Sequence, residues 1–176
     1  NADLLLGYQQ RLISSFSTNY LAGAELQAIV DEVNAASQKI VTAITSSQTD
    51  SLTLTDLQEA GIQGVTDAAS AAAVVQKLAQ LSNVTQTTQL QHAADEVFVA
   101  FNKAKTFGES GGLSAEPTLQ DYQSLGFGEV VSALEIDAIN VVLRSAAGAL
   151  SSMTELGDIV AVGVAQYEAL LNHVSA

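Results

Sequence analysis

The chain has 176 residues, of which 48% are hydrophobic but only 5% aromatic and 14% charged, and it contains neither Trp nor Cys. A core of that length must therefore be built from Ala, Leu, Val and Ile, and disulfides, thiolate metal sites and a cysteine nucleophile are excluded. Nineteen acidic residues against six basic ones give a net charge of −13, which repels phosphate backbones and anionic headgroups and so argues against nucleic-acid and peripheral membrane binding.

The charged fraction lies well below the roughly 25% of an ordinary globular domain, so Gln, Ser, Thr and Asn must carry much of the surface. Disorder needs low hydrophobicity together with high charge, which this chain does not have. The acidity serves solubility first; a sharper reading is residence in salty or calcium-bearing surroundings, where such charge is screened. No run approaches the ~20 apolar residues that cross a bilayer. Ala71-Ala72-Ala73-Val74-Val75, the nearest, is broken at once by Gln76-Lys77. The start at Asn1-Ala2-Asp3, without Met or a basic lead-in to Leu4-Leu5-Leu6, reads as a processed mature end or an excised fragment.

Along the chain, Leu4, Leu5, Tyr8, Leu12, Ile13 and Phe16 recur at helical spacing and are interrupted by Ser17-Thr18-Asn19. A long helix is expected from about residue 22 to 45. Leu26, Ile29, Val30, Val33, Ala36, Ile40, Val41 and Ile44 form its apolar stripe. The polar connector Ser46 to Asp50 leads to Thr53-Leu54-Thr55-Asp56-Leu57-Gln58-Glu59-Ala60-Gly61-Ile62. This stretch reads as a short helix with full punctuation. Thr53 and Asp56 cap one another, Gly61 supplies a left-handed stop, and Ile62 is placed for a Schellman contact. Helices are expected next over about 66–81 and 85–104, the second turning Leu90, Ala94, Val97, Phe98 and Phe101 inward. Phe107 to Pro117, rich in Gly, reads as a flexible linker. A second short helix, Thr118 to Leu125, is followed by Gly126-Phe127 and by a helix over about 132–150. The last helix opens with Ser152 and Glu155 as a capping box and ends near His173. Leu156, Ile159, Val160, Val164, Tyr167, Leu170 and Leu171 line its buried side.

The two short helices are copies. Thr53 and Thr118 stand 65 positions apart, as do Gly61 and Gly126. Ile13, Leu78 and Leu143 follow at the same interval, while Leu26, Leu90 and Leu156 fall at intervals of 64 and 66. The expected fold is all-α, in tandem units of a short, a medium and a long helix. Residues 1–50 form a partial first unit without its short helix, residues 51–112 a second and residues 113–176 a third. Each unit buries its own small core or shares one with its neighbours.

The capped pattern at Thr53 and Thr118, then Gly64-Val65-Thr66, Ala138-Ile139-Asn140 and the run from Ala24 to Ala36, resembles the three-helix, GA-like repeats of large bacterial cell-surface and adhesin-type proteins. The resemblance spans essentially the whole chain and rests on helix caps and stripes. It implies an extracellular stalk or adhesive segment of a larger precursor. It does not imply albumin binding, because no residue here matches an albumin contact.

Candidate chemistry is sparse. His92 and His173 occupy different places in their long helices, and no His/His/carboxylate spacing on one face suits zinc. Asp31-Glu32, Asp56 with Glu59, and Asp95-Glu96 read as solvated faces and caps, since adjacent helical residues point about 100° apart. Glu109 and Glu116 flank the Gly-rich loop as a weak calcium alternative. Gly108, Gly111 and Gly112 follow no strand and precede no Lys-Ser/Thr pair. No serine has the surroundings of a nucleophile. Asn83-Val84-Thr85 is a formal glycosylation sequon. Arg11 and Arg144 read as boundary residues whose stems shield the core. Small residues from Asp67 to Val75 permit close helix approach, within a unit or between chains. The expectation is a non-enzymatic, extracellular or cell-surface, structural or adhesive protein without catalytic residues, cofactor or metal. Its partners are other chains or neighbouring repeats, with possible self-assembly. The alternatives are a carrier holding an apolar ligand between its bundles and a subunit of a filament or surface layer.

Overall fold

The structure is a computed structural model that describes residues 8–9, 11–13, 23–82, 84, 86–146 and 150–174. Among these residues every regular element is helical, so the chain is all-α. The helices are α1 (Gly23–Thr45), α2 (Leu54–Glu59), α3 (Ala68–Ala79), α4 (Thr87–Glu109), α5 (Leu119–Ser124), α6 (Ala133–Ser145) and α7 (Met153–Val174), with a 3₁₀ turn at Thr49–Ser51 before α2. Residues 8–9 and 11–13 are helical as well. The sequon at Asn83 and Thr85, and the apolar residues Leu4, Leu5 and Phe16, lie outside the described residues.

Caps and stops explain why the elements begin and end where they do. At α2 the Thr53 hydroxyl accepts from the Asp56 N–H at 3.2 Å, and the Asp56 carboxylate accepts from the Thr53 N–H at 2.9 Å. Thr118 and Asp121 do the same at α5. Asp67 with Ser70 caps α3, and Ser132 with Glu135 caps α6. Each such box satisfies two main-chain donors that a helix start otherwise leaves unpaired. Glu155 and Ser152 bond reciprocally before α7, as their spacing suggests. Gly61 (φ 78°) and Gly126 (φ 94°) end α2 and α5 in the left-handed region. There Ile62 N–H donates to Leu57 O, and Phe127 N–H donates to Tyr122 O, both at 3.0 Å. These are the long bonds of Schellman closures. At the end of α1 the same position is taken by Ser47, at φ 55°, where a side chain is strained.

The chain divides into two compact units, Asn1–Asp95 and Glu96–Ala176, and the division falls inside α4. In the first unit α1 packs on the 3₁₀ turn and on α2, while α3 packs on both of those elements. Its core is aliphatic: Val33, Ile40, Leu57, Val74, Leu78 and Leu90 are essentially fully buried. Tyr8 donates to Asn34 at 2.7 Å and Arg11 pairs with Glu32, tying the first described residues to α1. In the second unit α6 packs along α7. The core holds Phe107, Tyr122, Ile139, Leu143 and Leu156.

Several details differ from the sequence reading. Helix α4 continues to Glu109, so Phe107 and Gly108 are helical rather than the start of a linker. Phe107 is an apolar anchor in the core, and Gly108 leaves room for Leu143, whose Cδ1 and carbonyl oxygen would each lie 3.2 Å from a Cβ there. The rest of that stretch is tied down: Gly112 N–H donates to Phe107 O, and the Ser110 hydroxyl accepts from the N–H groups of Leu113 and Ser114. Ala93, Ala100 and Ala104 are buried in α4, whereas Phe98 and Phe101 sit at the boundary. Leu26, Leu170 and Leu171, expected inside, are exposed.

Candidate functional site

Three local arrangements stand out, and the first is a cationic tether on each short helix. Lys39 of α1 donates from Nζ to Asp56 Oδ1 at 2.7 Å, and Lys103 of α4 donates to Asp121 Oδ2 at 2.5 Å. The same aspartates are already cap residues, and each accepts from its threonine's N–H and hydroxyl. Burial alone would raise the Asp56 carboxyl, but the Lys39 ammonium and the two Thr53 donors outweigh it and hold the group below its ordinary value of 3.8. Burial raises Asp121 likewise, and Lys103 with the Thr118 donors again prevails. Two of the six basic residues thus pin a short helix to the long helix before it. The sequence reading assigned the aspartates to caps and passed over the lysines. Lys39 and Lys103 stand 64 positions apart, the same interval as Leu26 and Leu90, and that spacing was the available signal.

The second arrangement is a buried polar chain in the unit Glu96–Ala176. Tyr122 donates its hydroxyl to Asn140 Oδ1 at 2.6 Å, and Asn140 Nδ2 donates to Pro117 O at 3.1 Å and to Glu116 Oε1 at 3.3 Å. Burial, followed by the charges of Asp121 and Glu116, pushes the Tyr122 hydroxyl well above the ordinary phenol range, so it stays a donor. Arg144 crosses the Phe107 ring at 5.6 Å and lies 3.9 Å from Glu116. Its stem also covers Gly112, where an added Cβ would fall 2.4 Å from the guanidinium Nε.

The third arrangement is an open groove of about 580 Å³ in the unit Asn1–Asp95. Leu52 and Leu54 form one wall; Ala68, Ala72, Val75 and Ala79 of α3 form the other, with Asp50 and Gln76 among its polar lining residues. Sixty-five positions on, Ala72, Val75 and Ala79 are replaced by Asp137, Asn140 and Arg144. Asn140 and Arg144, which bridge to Glu116 and Pro117 in one unit, have small apolar counterparts in the other, and those counterparts line the groove.

The residues weighed for chemistry do not converge. His92 and His173 are both exposed. Among the described residues, no group of three His, Cys, Asp or Glu side chains is placed to hold a metal ion. Glu109 pairs with Lys105, while Glu116 serves Asn140 and Arg144, so these two carboxylates are turned to different partners. Asp95 accepts from Gln91, and Asp31 from Gln27, both along one helix face. No helix among the described residues is long and apolar enough to cross a membrane. Comparison with known proteins finds no matching family, curated protein or solved structure.

Proposed function

We propose that this chain is a non-enzymatic structural or adhesive element built of tandem three-helix units and displayed outside the cell or on its surface. The observation that carries this reading is the tether: a long helix supplies a lysine to the aspartate cap of the short helix that follows, at Lys39–Asp56 and again at Lys103–Asp121. The helices after each cap also correspond. Six, twelve and twenty-three residues in α2, α3 and α4 are followed by six, thirteen and twenty-two in α5, α6 and α7. A junction used twice is what a linear array needs, because each unit then contacts its sequence neighbours. The resemblance to GA-like surface repeats points the same way, and the acidic, charge-poor surface suits a screened, salty exterior. Antibodies raised against the folded chain and applied to intact source cells test the location. Labelling of intact cells is expected; labelling that needs permeabilised cells would refute it.

A second reading, a carrier of an apolar ligand, is favoured by the groove along α3. Native mass spectrometry of the chain purified from its source separates the two. A stoichiometric small molecule, released when Ala72→Arg fills the groove, would favour the carrier over the purely structural role.

A further inference from the structure

The groove along α3 holds a carboxylate and no cation. Among the described residues that line it, Asp50 alone is charged, and Asp50 is exposed. Apart from Thr53 and Gln76 the rest of the lining is aliphatic, with Leu52 and Leu54 on one wall and Val75 and Ala79 on the other.

The other unit keeps a cation of its own at the matching register. Arg144, in the last turn of α6, stands 65 positions after Ala79, the last residue of α3. Its stem passes Gly112, and its guanidinium lies 5.6 Å from the centre of the Phe107 ring and 3.9 Å from Glu116. A medium helix thus reaches the chain that enters a short helix through an aliphatic stem, and the stem ends in a cation against a carboxylate. Ahead of α2 the carboxylate is present at Asp50, but Ala79 supplies neither stem nor cation.

We infer that the α3 groove binds a small organic cation with an aliphatic tail, its guanidinium or ammonium head at Asp50 and its tail along Leu52, Leu54, Val75 and Ala79. Such a ligand brings from outside the stem and the charge that Arg144 supplies within the other unit. The groove's volume of about 580 Å³ suits a free small molecule, since such sites run to ~300–1,000 Å³. The net charge of −13 also gathers cations around the chain and repels anions. An exposed carboxylate contributes little in water, so the tail provides most of the affinity and the head sets the preference. This inference names a ligand for the carrier reading and rests on it.

NMR titration of the isotope-labelled chain with octylguanidinium, octanol and octanoate tests it, with Asp50→Asn and Ala79→Arg beside the original chain. Both positions are exposed, so both variants are expected to keep the original circular dichroism. Octylguanidinium should move the amide signals of residues 50–54 and 68–79, with a dissociation constant of about 0.1–1 mM. It should bind about two- to fivefold more tightly than octanol, and octanoate should bind more weakly than either. Asp50→Asn should erase the advantage over octanol while leaving octanol unchanged. Ala79→Arg sets the other unit's arginine in the groove and should weaken octylguanidinium at least about tenfold. Signals that move across the whole acidic surface and not at the groove would overturn the inference. So would an Asp50→Asn variant that keeps the preference, or an Ala79→Arg variant that binds as the original chain does. Octanol bound in the groove as tightly as octylguanidinium would sink the cation and leave the carrier reading standing. No binding of any octyl compound would sink the inference, and the carrier reading would fall with it only if native mass spectrometry also finds no retained molecule.

Discussion

Gly163 lies where α7 crosses α6, and replacing it with Ala sets two known effects against each other. Ala is favoured over Gly inside a helix by about 1 kcal/mol. A Cβ at this position, however, would lie 2.6 Å from Ile139 Cα, 2.7 Å from Cγ1 and 2.9 Å from the main-chain N. Carbon atoms prefer about 3.5–4.0 Å, so roughly 1 Å of overlap must be relieved. Two of the three obstructing atoms are backbone, so a rotamer change cannot relieve it and the helices must separate. Overpacking of a well-filled core costs about 1–3 kcal/mol, and more where backbone has to move. The net expectation is a loss of about 1–2 kcal/mol in spite of the propensity gain. Gly157→Ala, two turns earlier in α7, is the control. Its nearest neighbour would be Phe127 Cε1 at 3.9 Å, ordinary contact, so a gain approaching 1 kcal/mol is expected. Urea unfolding followed by circular dichroism measures both, at an unchanged slope if the unfolded states are comparable. The reasoning is refuted if Gly163→Ala is as stable as the original chain, or if the two substitutions shift the midpoint in the same direction.

Lys39→Met and Lys103→Met should each lower stability at neutral pH by about 1–2 kcal/mol. The original chain should lose the tether's contribution in acid: the depressed folded-state values of Asp56 and Asp121 give stability that is complete above 3.8 and disappears as pH falls through the lower folded value. A urea midpoint series from pH 6 to 2 is expected to be shallower in the double Met variant, and an unchanged series would refute the tether. Tyr122→Phe removes one hydroxyl but leaves Asn140 Oδ1 buried without that donor, so a loss of about 1–3 kcal/mol is expected in thermal unfolding; a neutral result would mean that water replaces the hydroxyl. Ser47→Gly should raise the urea midpoint by up to about 1 kcal/mol, because Ser47 holds a left-handed conformation that glycine adopts without strain.

The helices and their caps could be read from the sequence because their signals are local. Thr53 with Asp56 and Thr118 with Asp121 stand three residues apart, and Gly61 and Gly126 follow where a left-handed stop belongs, so the bonds depend on a few neighbouring residues alone. Burial along the long helices was less legible. The stripes through Leu26 in α1 and through Leu170 in α7 have the correct 3.6-residue period, but periodicity reports which face is apolar and not whether a neighbour reaches that far along it. Phe107 and Gly108 were misplaced in a linker because glycine-rich composition masked a helix whose last turn is held by tertiary packing, with Phe107 in the core and Gly108 against Leu143. The Lys39–Asp56 and Lys103–Asp121 pairs, the Tyr122–Asn140 bond and the two walls of the groove all join residues 14 or more positions apart, and only the fold brings them together.

The residues that line the groove differ in size and polarity from those 65 positions on, and their part in shaping it can be tested by exchanging some of them. Leu57 and Val75 occupy the registers of Tyr122 and Asn140, so Val75→Asn and Leu57→Tyr install the missing pair beside the groove. Val75→Asn alone gives up apolar contact and gains an amide without its tyrosine, so it should cost about 1–3 kcal/mol. Leu57→Tyr alone forces a larger ring with an unpaired hydroxyl into a fully buried site and should cost at least as much. Together the two should recover about 0.5–3 kcal/mol of the summed loss if the hydroxyl reaches the amide as it does in the other unit. The four urea midpoints form a double-mutant cycle whose coupling term reads that recovery directly. Simple additivity would show that the groove is set by the backbone separation of Leu52–Leu54 from α3, and not by which side chains line it.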